Sequence, residues 1–240
     1  MIIGSGLLAH AFANPFSQRD DVCIYAAGVS NSSCIDVQEF ERERLLLSKS
    51  LAHAKHVDAF IYFGTCSVAD PEARNNPYVQ HKLAMERLVV AHPRNLIFRL
   101  PQIAGKTPNP HTLLNYLCAR ILRSEAFNLW IRAKRNIIDI DDVAAIAGQF
   151  IADASARSVT LNIANPISYS MIDIVSAMER AAGKRAIYYS VDRGSEYTID
   201  TSAISHVLEN ADVEFGSDYL EKLMGKYYGK YANSCPEFQI

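Results

Sequence analysis

The sequence predicts an α/β domain built on a parallel β-sheet, and three observations carry that prediction. Short apolar runs alternate with helix-like segments along most of the chain, an order typical of parallel sheets. A glycine turn, Gly4-Ser5-Gly6, separates the first run from the first helix. Hydrophobic residues make up 49% of the 240 residues, enough for one substantial core. We therefore expect one α/β core with a small appendage.

The strands are predicted where apolar runs rich in β-branched and aromatic residues end at glycine, proline or polar residues. These runs cover residues 1–3, 22–27, 59–63, 96–100, 136–140 and 160–163. Each is short and mostly apolar, as expected for strands buried on both faces of a sheet.

The helices are predicted where polar capping residues precede longer segments. These segments cover residues 7–13, 35–55, 78–91, 112–123, 143–154 and 171–182. Asn14-Pro15 is expected to end the first helix, because a residue before proline disfavours helical geometry. The aromatic segment 219–231 is expected to form part of a lid.

Charge and cysteine usage exclude several classes of protein. The formal net charge of -2 gives no field that would attract nucleic acid or an anionic membrane, so a small molecule is the expected partner. The five cysteines, Cys235 among them, have neither disulfide-framework nor zinc spacing, and the seven histidines have no metal spacing. No metal site is predicted, and solvated or capping histidines are expected.

The sequence has no signal-peptide pattern and no apolar run of about 18 residues. A cytoplasmic protein is therefore expected.

The run from Gly4 to Ala9 has the form GxGxxA between a predicted strand and a predicted helix. Glycine there lets backbone N–H groups at a helix N-terminus approach a pyrophosphate. A tight turn made of small residues is the alternative explanation, although the strand-turn-helix context favours a nucleotide site.

Tyr78 and Lys82 are one turn apart on the helix predicted for residues 78–91. A phenol becomes an acid/base near neutral pH when an ammonium stabilises its phenolate, and a lysine four residues on supplies that charge. The spacing also arises by chance in a chain with twelve tyrosines, so its context matters. Upstream, a strand ends at a hydroxyl-rich turn that begins with Thr65, and strand ends build the sites of α/β folds. We predict that a hydroxyl of this turn, which contains Thr65 and Ser67, orients a substrate oxygen for Tyr78.

The order of these motifs resembles the extended branch of the short-chain dehydrogenase/reductase superfamily, which contains nucleotide-sugar epimerases, dehydratases and reductases. The resemblance covers about residues 1–175. Besides the glycine turn and the Tyr78/Lys82 pair, it is carried by residues 26–28 (Ala-Ala-Gly), 64–68 (Gly-Thr-Cys-Ser-Val), 99–105 (Arg-Leu-Pro-Gln-Ile-Ala-Gly) and 135–143 (Arg-Asn-Ile-Ile-Asp-Ile-Asp-Asp-Val). It implies a Rossmann-like, doubly wound parallel sheet.

The resemblance also implies roles for individual residues. The catalytic residues would be Thr65, Tyr78 and Lys82. Tyr78 would move a proton to or from a sugar hydroxyl or ketone. Lys82 would lower the pKa of the Tyr78 phenol and bind the nicotinamide ribose. NAD or NADP is expected to contact Gly4, Ser5, Gly6, Leu7, Leu8, Ala26, Ala27, Gly28, Tyr78, Lys82, Pro101 and Ile103. The nucleotide-sugar substrate is expected to contact Thr65, Ser67, Gln102 and Arg135. Ser67 is the alternative hydroxyl donor, and Arg135 is equally well explained as a surface residue.

The chain departs from the family at the glycine turn and in its length. Ile3 and Ala9 replace the first and third glycines of the family turn. In the resemblance, residues 59–63 match the strand that carries the catalytic hydroxyl, so residues 22–27 match the strand just before it. Several strands and helices of the family are then missing between the glycine-turn helix and residue 22. We therefore expect fewer than the family's seven strands. The lost stretch carries the contact to the adenosine ribose in the family, so the sequence does not distinguish NAD from NADP.

The residues after Thr65 bear on the type of reaction. The family's 4,6-dehydratases have an Asp-Glu pair at the place where this chain has Cys66-Ser67. Dehydration is therefore disfavoured, and epimerisation or ketone reduction is expected.

Two other segments have structural explanations. The alternating charges of residues 41–44 predict a solvated helix face. The aromatic and leucine stripe of residues 219–228 predicts a packing face or an oligomer contact, and so leaves a homodimer open.

The motifs leave two functions open. The first is an NAD(P)-dependent oxidoreductase or epimerase that acts on a nucleotide-activated sugar. The second is a degenerate, non-catalytic family member that binds a nucleotide or nucleotide sugar. Residues 1–165 are expected to form the NAD(P)-binding core, with substrate-region elements around 105–135, and residues 166–240 a small C-terminal substrate or lid region.

Overall fold

The computed structural model describes residues 1–16, 18–153 and 158–229. The strands in these ranges are β1 (Ile2–Ile3), β2 (Val22–Tyr25), β3 (Ala59–Thr65), β4 (Asn95–Leu100), β5 (Gln102–Ala104), β6 (Phe127–Trp130), β7 (Lys134–Asp139), β8 (Val159–Asn162), β9 (Ser168–Ser170) and β10 (Tyr188–Val191). The α-helices there are α1 (Leu7–Phe16), α2 (Val37–His53), α3 (Pro77–Val89), α4 (Leu113–Arg123), α5 (Ile140–Ala152), α6 (Met171–Ala182) and α7 (Tyr219–Tyr228).

The chain divides into two compact units. The first contains Met1–Pro101, Ile140–Ala164 and Thr198–Glu214. The second contains Gln102–Asp139, Asn165–Tyr197 and the described residues from 215 onward. The expected roles of residues 1–165 and 166–240 stay predictions.

The first unit is built on one parallel sheet with the strand order β1-β2-β3-β4-β8. Ile24 pairs with Ile2 on one side and with Ile61 on the other, and Ile97 pairs with Tyr62 and Thr160. The predicted Rossmann-like fold with a reduced number of strands is confirmed.

Helices cover both faces of this sheet, because successive side chains of a strand point to opposite sides. On one face, Tyr25, Phe60 and Tyr62 pack with residues of α2 and α3 such as Leu47 and Met85. On the other face, an aromatic chain runs from Phe12 of α1 through Phe63 and Phe98 to Phe150 of α5, with ring centroids 5.3–6.3 Å apart. These two layers make the sheet doubly wound.

The second unit has its own core. Its strands form a sheet of order β5-β7-β9 and a parallel pair of β6 with β10. Apolar side chains of α4, α6 and α7 pack together, with Leu117, Ile174 and Leu223 among the buried residues. The Asp139 backbone N–H donates a hydrogen bond to the Tyr219 hydroxyl oxygen at 2.8 Å, which joins the end of β7 to the start of α7.

Several predicted boundaries change. Helix α1 continues past Asn14-Pro15 to Phe16, because Phe16 is buried and packs on Phe12 with ring centroids 5.8 Å apart. Gln102, which lies outside the predicted strands and helices, begins strand β5 and pairs with Ile137. Residue 154 and the part of segment 219–231 beyond Gly229 lie outside the described residues. No helix among the described residues is long and apolar enough to cross a membrane.

Candidate active site

Helix α3 places Tyr78 and Lys82 on one buried face. Asn76 caps the helix by accepting hydrogen bonds from the N–H groups of Tyr78 (2.9 Å) and Val79 (3.3 Å), and Pro77 occupies the first turn. Tyr78 is 7% exposed and Lys82 is 4% exposed. The cap therefore fixes where the helix begins, and so which face carries the phenol and the ammonium.

Thr65 ends strand β3 and lies beside the Tyr78 phenol. The Thr65 side chain is close enough to lower the pKa of Tyr78, and the Thr65 hydroxyl accepts a hydrogen bond from the Ser67 N–H at 3.2 Å. Thr65 is buried, whereas Ser67 is half-buried in the following 3₁₀ turn. Of the two hydroxyls considered from the sequence, Thr65 is thus the one in contact with Tyr78.

Glu43 of α2 is the residue that sequence reasoning missed. Its side chain is 0% exposed, although the alternating charges of residues 41–44 predicted a solvated face. That prediction is wrong for Glu43 and right for its neighbours, since Arg42 pairs with Glu39 and Arg44 with Glu41 on the exposed side. The signal was the helical spacing of Glu43 with the buried Leu47 and Ser50 at positions i+4 and i+7.

Four donors surround the Glu43 carboxylate. Oε1 accepts from the Tyr62 hydroxyl at 2.8 Å and from the Lys82 ammonium at 3.4 Å. Oε2 accepts from the Val29 N–H at 2.6 Å and contacts His81 Nε2 at 2.9 Å. His81 is therefore buried and partnered, contrary to the expectation that the histidines are solvated or capping.

These contacts set the ionisation of the site. Burial alone would raise the pKa of Glu43, but the Lys82 charge and the hydrogen bonds outweigh it and lower the pKa to about 2. Burial lowers the pKa of Lys82, and Glu43 opposes that shift. Burial raises the pKa of Tyr78, the Glu43 charge raises it further, and the neighbouring Thr65 side chain lowers it. The Tyr78 phenol is therefore protonated at neutral pH.

Gly28 allows the chain after strand β2 to approach this ion pair. A Cβ added at Gly28 would lie 2.7 Å from Lys82 Nζ and 2.9 Å from Glu43 Oε1. A side chain at this position would displace the two charged groups from their present places.

The glycine turn fits the approach of a phosphate group. Gly4 has φ +126°, and a Cβ there would lie 2.5 Å from the Ala26 carbonyl oxygen, so the turn packs directly on the end of β2. A Cβ at Gly6 would meet no atom within 4 Å, which leaves the start of α1 open. The first N–H groups of a helix lack intrahelical partners and attract anions. Ser5, Gly6, Leu7 and Leu8 lie at this helix start.

The remaining predicted contacts are divided between the two units. Ala26, Ala27 and Pro101 belong to the first unit, and Gln102, Ile103 and Arg135 to the second. The Arg135 guanidinium donates to the Lys134 carbonyl oxygen at 2.8 Å. All of these cofactor and substrate assignments stay predictions.

Cys66 follows Thr65 but is a poor nucleophile. Its thiol is buried, donates to the Arg99 carbonyl oxygen at 3.2 Å, and burial raises its pKa to about 12. Cys235 lies outside the described residues. Among the residues that the structure describes, no group of three or more His, Cys, Asp or Glu side chains could hold a metal.

A family model identifies the class of protein to which this site belongs. The NAD dependent epimerase/dehydratase family matches residues 10–164, and the chain belongs to that family. The resemblance found in the sequence motifs is thereby confirmed, and the family's NAD dependence agrees with the expected NAD or NADP cofactor. No curated protein matches the chain.

Solved structures share the fold at low sequence identity. UDP-glucuronic acid 4-epimerase from Bacillus cereus, in complex with NAD, is 19% identical with a TM-score of 0.71, covering 95% of this chain and 88% of that one. The Pseudomonas aeruginosa protein RMD, complexed with NADPH, is 14% identical with a TM-score of 0.68, covering 94% and 87%. The dTDP-glucose 4,6-dehydratase from Bacillus anthracis, in complex with NAD, is 14% identical with a TM-score of 0.70, covering 98% and 80%.

Proposed function

We propose that the protein is an NAD(P)-dependent enzyme that epimerises or reduces a carbon of a nucleotide-activated sugar. The observation that carries this proposal is the buried Tyr78 with Thr65 beside it and the buried Lys82 one helical turn away, inside a domain of the NAD dependent epimerase/dehydratase family. A buried phenol with a hydroxyl beside it and an ammonium one helical turn away suits proton transfer to a carbon-bound oxygen.

The proposed roles follow from the contacts. Thr65 holds the substrate oxygen by a hydrogen bond. Tyr78 gives its hydroxyl proton to that oxygen when a ketone is reduced, and takes a proton from it when an alcohol is oxidised. Lys82 supplies positive charge to the phenolate and binds the nicotinamide ribose.

The glycine turn and the end of β2 are the proposed cofactor contacts. Ser5, Gly6, Leu7 and Leu8 would hold the pyrophosphate at the start of α1, and the backbone of residues 26–28 would lie along the dinucleotide. A bound nicotinamide supplies or accepts the hydride. Pro101 and Ile103 complete the proposed set, and Gln102 and Arg135 are proposed substrate contacts.

Binding of the reduced dinucleotides is the first test. Titration with NADH and with NADPH, followed by nicotinamide fluorescence, should give saturable binding for at least one of them and so decide between the two cofactors. Absence of binding to both at about millimolar concentration would refute the enzyme proposal, because the dinucleotide carries the hydride in this chemistry.

Turnover is the second test, with UDP-glucuronic acid, UDP-glucose and dTDP-glucose as substrates, because proteins of similar structure bind these sugars or are named for them. Tyr78→Phe should reduce turnover by about 10²- to 10⁴-fold while dinucleotide binding persists, since only the acidic hydroxyl is removed. Tyr189→Phe, at an exposed tyrosine, is the matched control and should keep full turnover. Equal activity of the two variants would contradict the assignment of Tyr78.

Dehydration is the reaction we expect to be missing. Cys66-Ser67 stands where the 4,6-dehydratases of the resemblance have an Asp-Glu pair, so the carboxylates that serve water elimination there are not directly after Thr65. Product analysis by NMR after incubation with dTDP-glucose should detect no 4-keto-6-deoxy sugar, and its appearance would correct this part of the proposal.

The second candidate is a non-catalytic protein that binds a nucleotide or nucleotide sugar. It is favoured by one observation: burial and Glu43 both raise the pKa of Tyr78, which keeps the phenol protonated and so unable to accept a proton. It predicts binding of a dinucleotide or UDP-sugar with no turnover, and a Tyr78→Phe variant with unchanged affinity.

We also propose that residues 166–240 act as a substrate or lid region. We further propose that the chain forms a homodimer, which sedimentation velocity would test.

A further inference from the structure

The buried carboxylate of Glu43 carries an inference beyond this assignment. An ionised carboxylate is costly to bury unless charge and hydrogen bonds compensate it. Glu43 has both, because Tyr62, His81 and the Val29 N–H surround it at 2.6–2.9 Å and the Lys82 ammonium lies 3.4 Å away. Partners from α3, β3 and the loop after β2 thus converge on this one anion.

The partners of this carboxylate are the groups of the proposed active site. Lys82 touches Glu43 directly and also lies over the Tyr62 ring, with Nζ 4.8 Å from its centroid. The titratable groups that face the cluster are Tyr25 from β2, Tyr62 from β3, and Tyr78, His81, Lys82 and Glu86 from α3, with Arg42 on the helix of Glu43 itself. Among these, Lys82 is the buried cation that contacts Glu43, and it lies one helical turn after Tyr78 on α3.

We propose that Glu43 is a positioning residue of the proposed active site, whose carboxylate holds the Lys82 ammonium in place and offsets its charge beside the Tyr78 phenol. This inference rests on the proposed function, because that proposal assigns the roles of Lys82 and Tyr78. Glu43 acts on the reaction through these two side chains.

The charge arrangement has a chemical consequence. With Glu43 ionised, the positive charge of Lys82 is largely balanced by its partner, and the pKa of Tyr78 stays raised by burial and by the Glu43 charge. A protonated phenol donates, so the arrangement favours the step in which Tyr78 gives its proton to a substrate oxygen. That is the reductive half of the proposed chemistry.

The test separates charge from shape at position 43. Glu43→Gln keeps the length of the side chain and removes its charge, whereas Glu43→Asp keeps the charge and shortens the side chain. The measurement is a tyrosinate titration by ultraviolet absorbance, in which the Tyr78 component is the difference between each protein and the same protein carrying Tyr78→Phe. Glu41→Gln, at an exposed glutamate that pairs with Arg44, is the matched control.

Glu43→Gln should move the midpoint of the Tyr78 component down by about 1–3 pH units, because a nearby anion is removed and the Lys82 cation is left unopposed. Glu43→Asp and Glu41→Gln should leave it close to that of the wild-type protein. A midpoint that is unchanged or higher in Glu43→Gln would overturn the proposal, and so would a larger downward shift in Glu43→Asp, which would indicate a role in packing alone.

The double variant Glu43→Gln/Lys82→Met covers the case in which Glu43→Gln does not fold, because it removes both buried charges together. Its Tyr78 midpoint should lie below that of the wild-type protein, and above that of Glu43→Gln where both fold. A midpoint at or above the wild-type value would overturn the proposal. The titration needs neither cofactor nor substrate, so a lack of turnover, which would refute the proposed function, leaves this result readable.

Discussion

Replacing Gly4 by alanine tests the packing of the glycine turn on the sheet. Gly4 has φ +126°, a conformation that L-residues rarely adopt, and an added Cβ would lie 2.5 Å from the Ala26 carbonyl oxygen and 2.7 Å from its carbon. A sparsely populated backbone conformation costs about 1–3 kcal/mol, and overpacking against a fixed backbone costs about as much again. Gly4→Ala should therefore lower the free energy of unfolding by about 2–6 kcal/mol.

Gly6→Ala is the control, because it makes the same chemical change two residues away. A Cβ at Gly6 meets no atom within 4 Å, and its φ lies outside the left-handed region. Its effect should stay within about 1 kcal/mol, since the alanine also restricts the unfolded chain. Urea unfolding followed by circular dichroism measures both variants. Equal stability of Gly4→Ala and Gly6→Ala would refute the close contact between the turn and Ala26.

Three further predictions concern buried charges. The pKa of Glu43 is lowered from 4.5 to about 2, which contributes about 3 kcal/mol to the free energy of unfolding above pH 4.5. This contribution is lost as the pH falls towards 2. Between these two pH values, the free energy of unfolding of Glu43→Gln should therefore depend less steeply on pH than that of the wild-type protein. Arg99→Met should cost about 2–4 kcal/mol in urea unfolding, since it leaves the buried Glu86 carboxylate without its bidentate partner, and adding Glu86→Gln should restore part of the loss. Asp139→Asn should weaken two hydrogen bonds that its carboxylate accepts from α7, at 2.7 and 2.6 Å, and so raise amide hydrogen exchange in α7 while exchange in α3 stays unchanged.

Local signals explain which parts of the fold could be predicted from the sequence. The helix predicted for residues 171–182 has those bounds in the structure, because Ser170 caps its start and Gly183 ends it in a left-handed conformation. The contact of Thr65 with Tyr78 was predictable for a related reason, since a strand end and a capped helix start both have local sequence signatures.

Long-range pairing explains what could not be predicted. Strand β6 pairs with β10, so Phe127 lies opposite Tyr188, and neither four-residue segment identifies its partner. The burial of Glu43 was missed for a similar reason, because its four partners come from three distant parts of the chain. A charged residue in an alternating run is usually solvated, and the spacing of Glu43 with Leu47 and Ser50 was by itself too weak a signal to predict the exception.

The strand order explains how the chain tolerates the elements it lacks. In a doubly wound sheet of order 3-2-1-4-5-6, the second and third strands lie beyond the first, at one edge. The first four strands of the observed order β1-β2-β3-β4-β8 match the remaining order 1-4-5-6, with β8 added at the far edge and β1 directly paired to β2 through Ile2 and Ile24. The loss therefore removes an edge and leaves the strands that lead to Gly28 and Thr65 contiguous. Because the lost strands carry the adenosine contact in the resemblance, the proposed dinucleotide binding would depend mainly on the glycine turn and on Lys82.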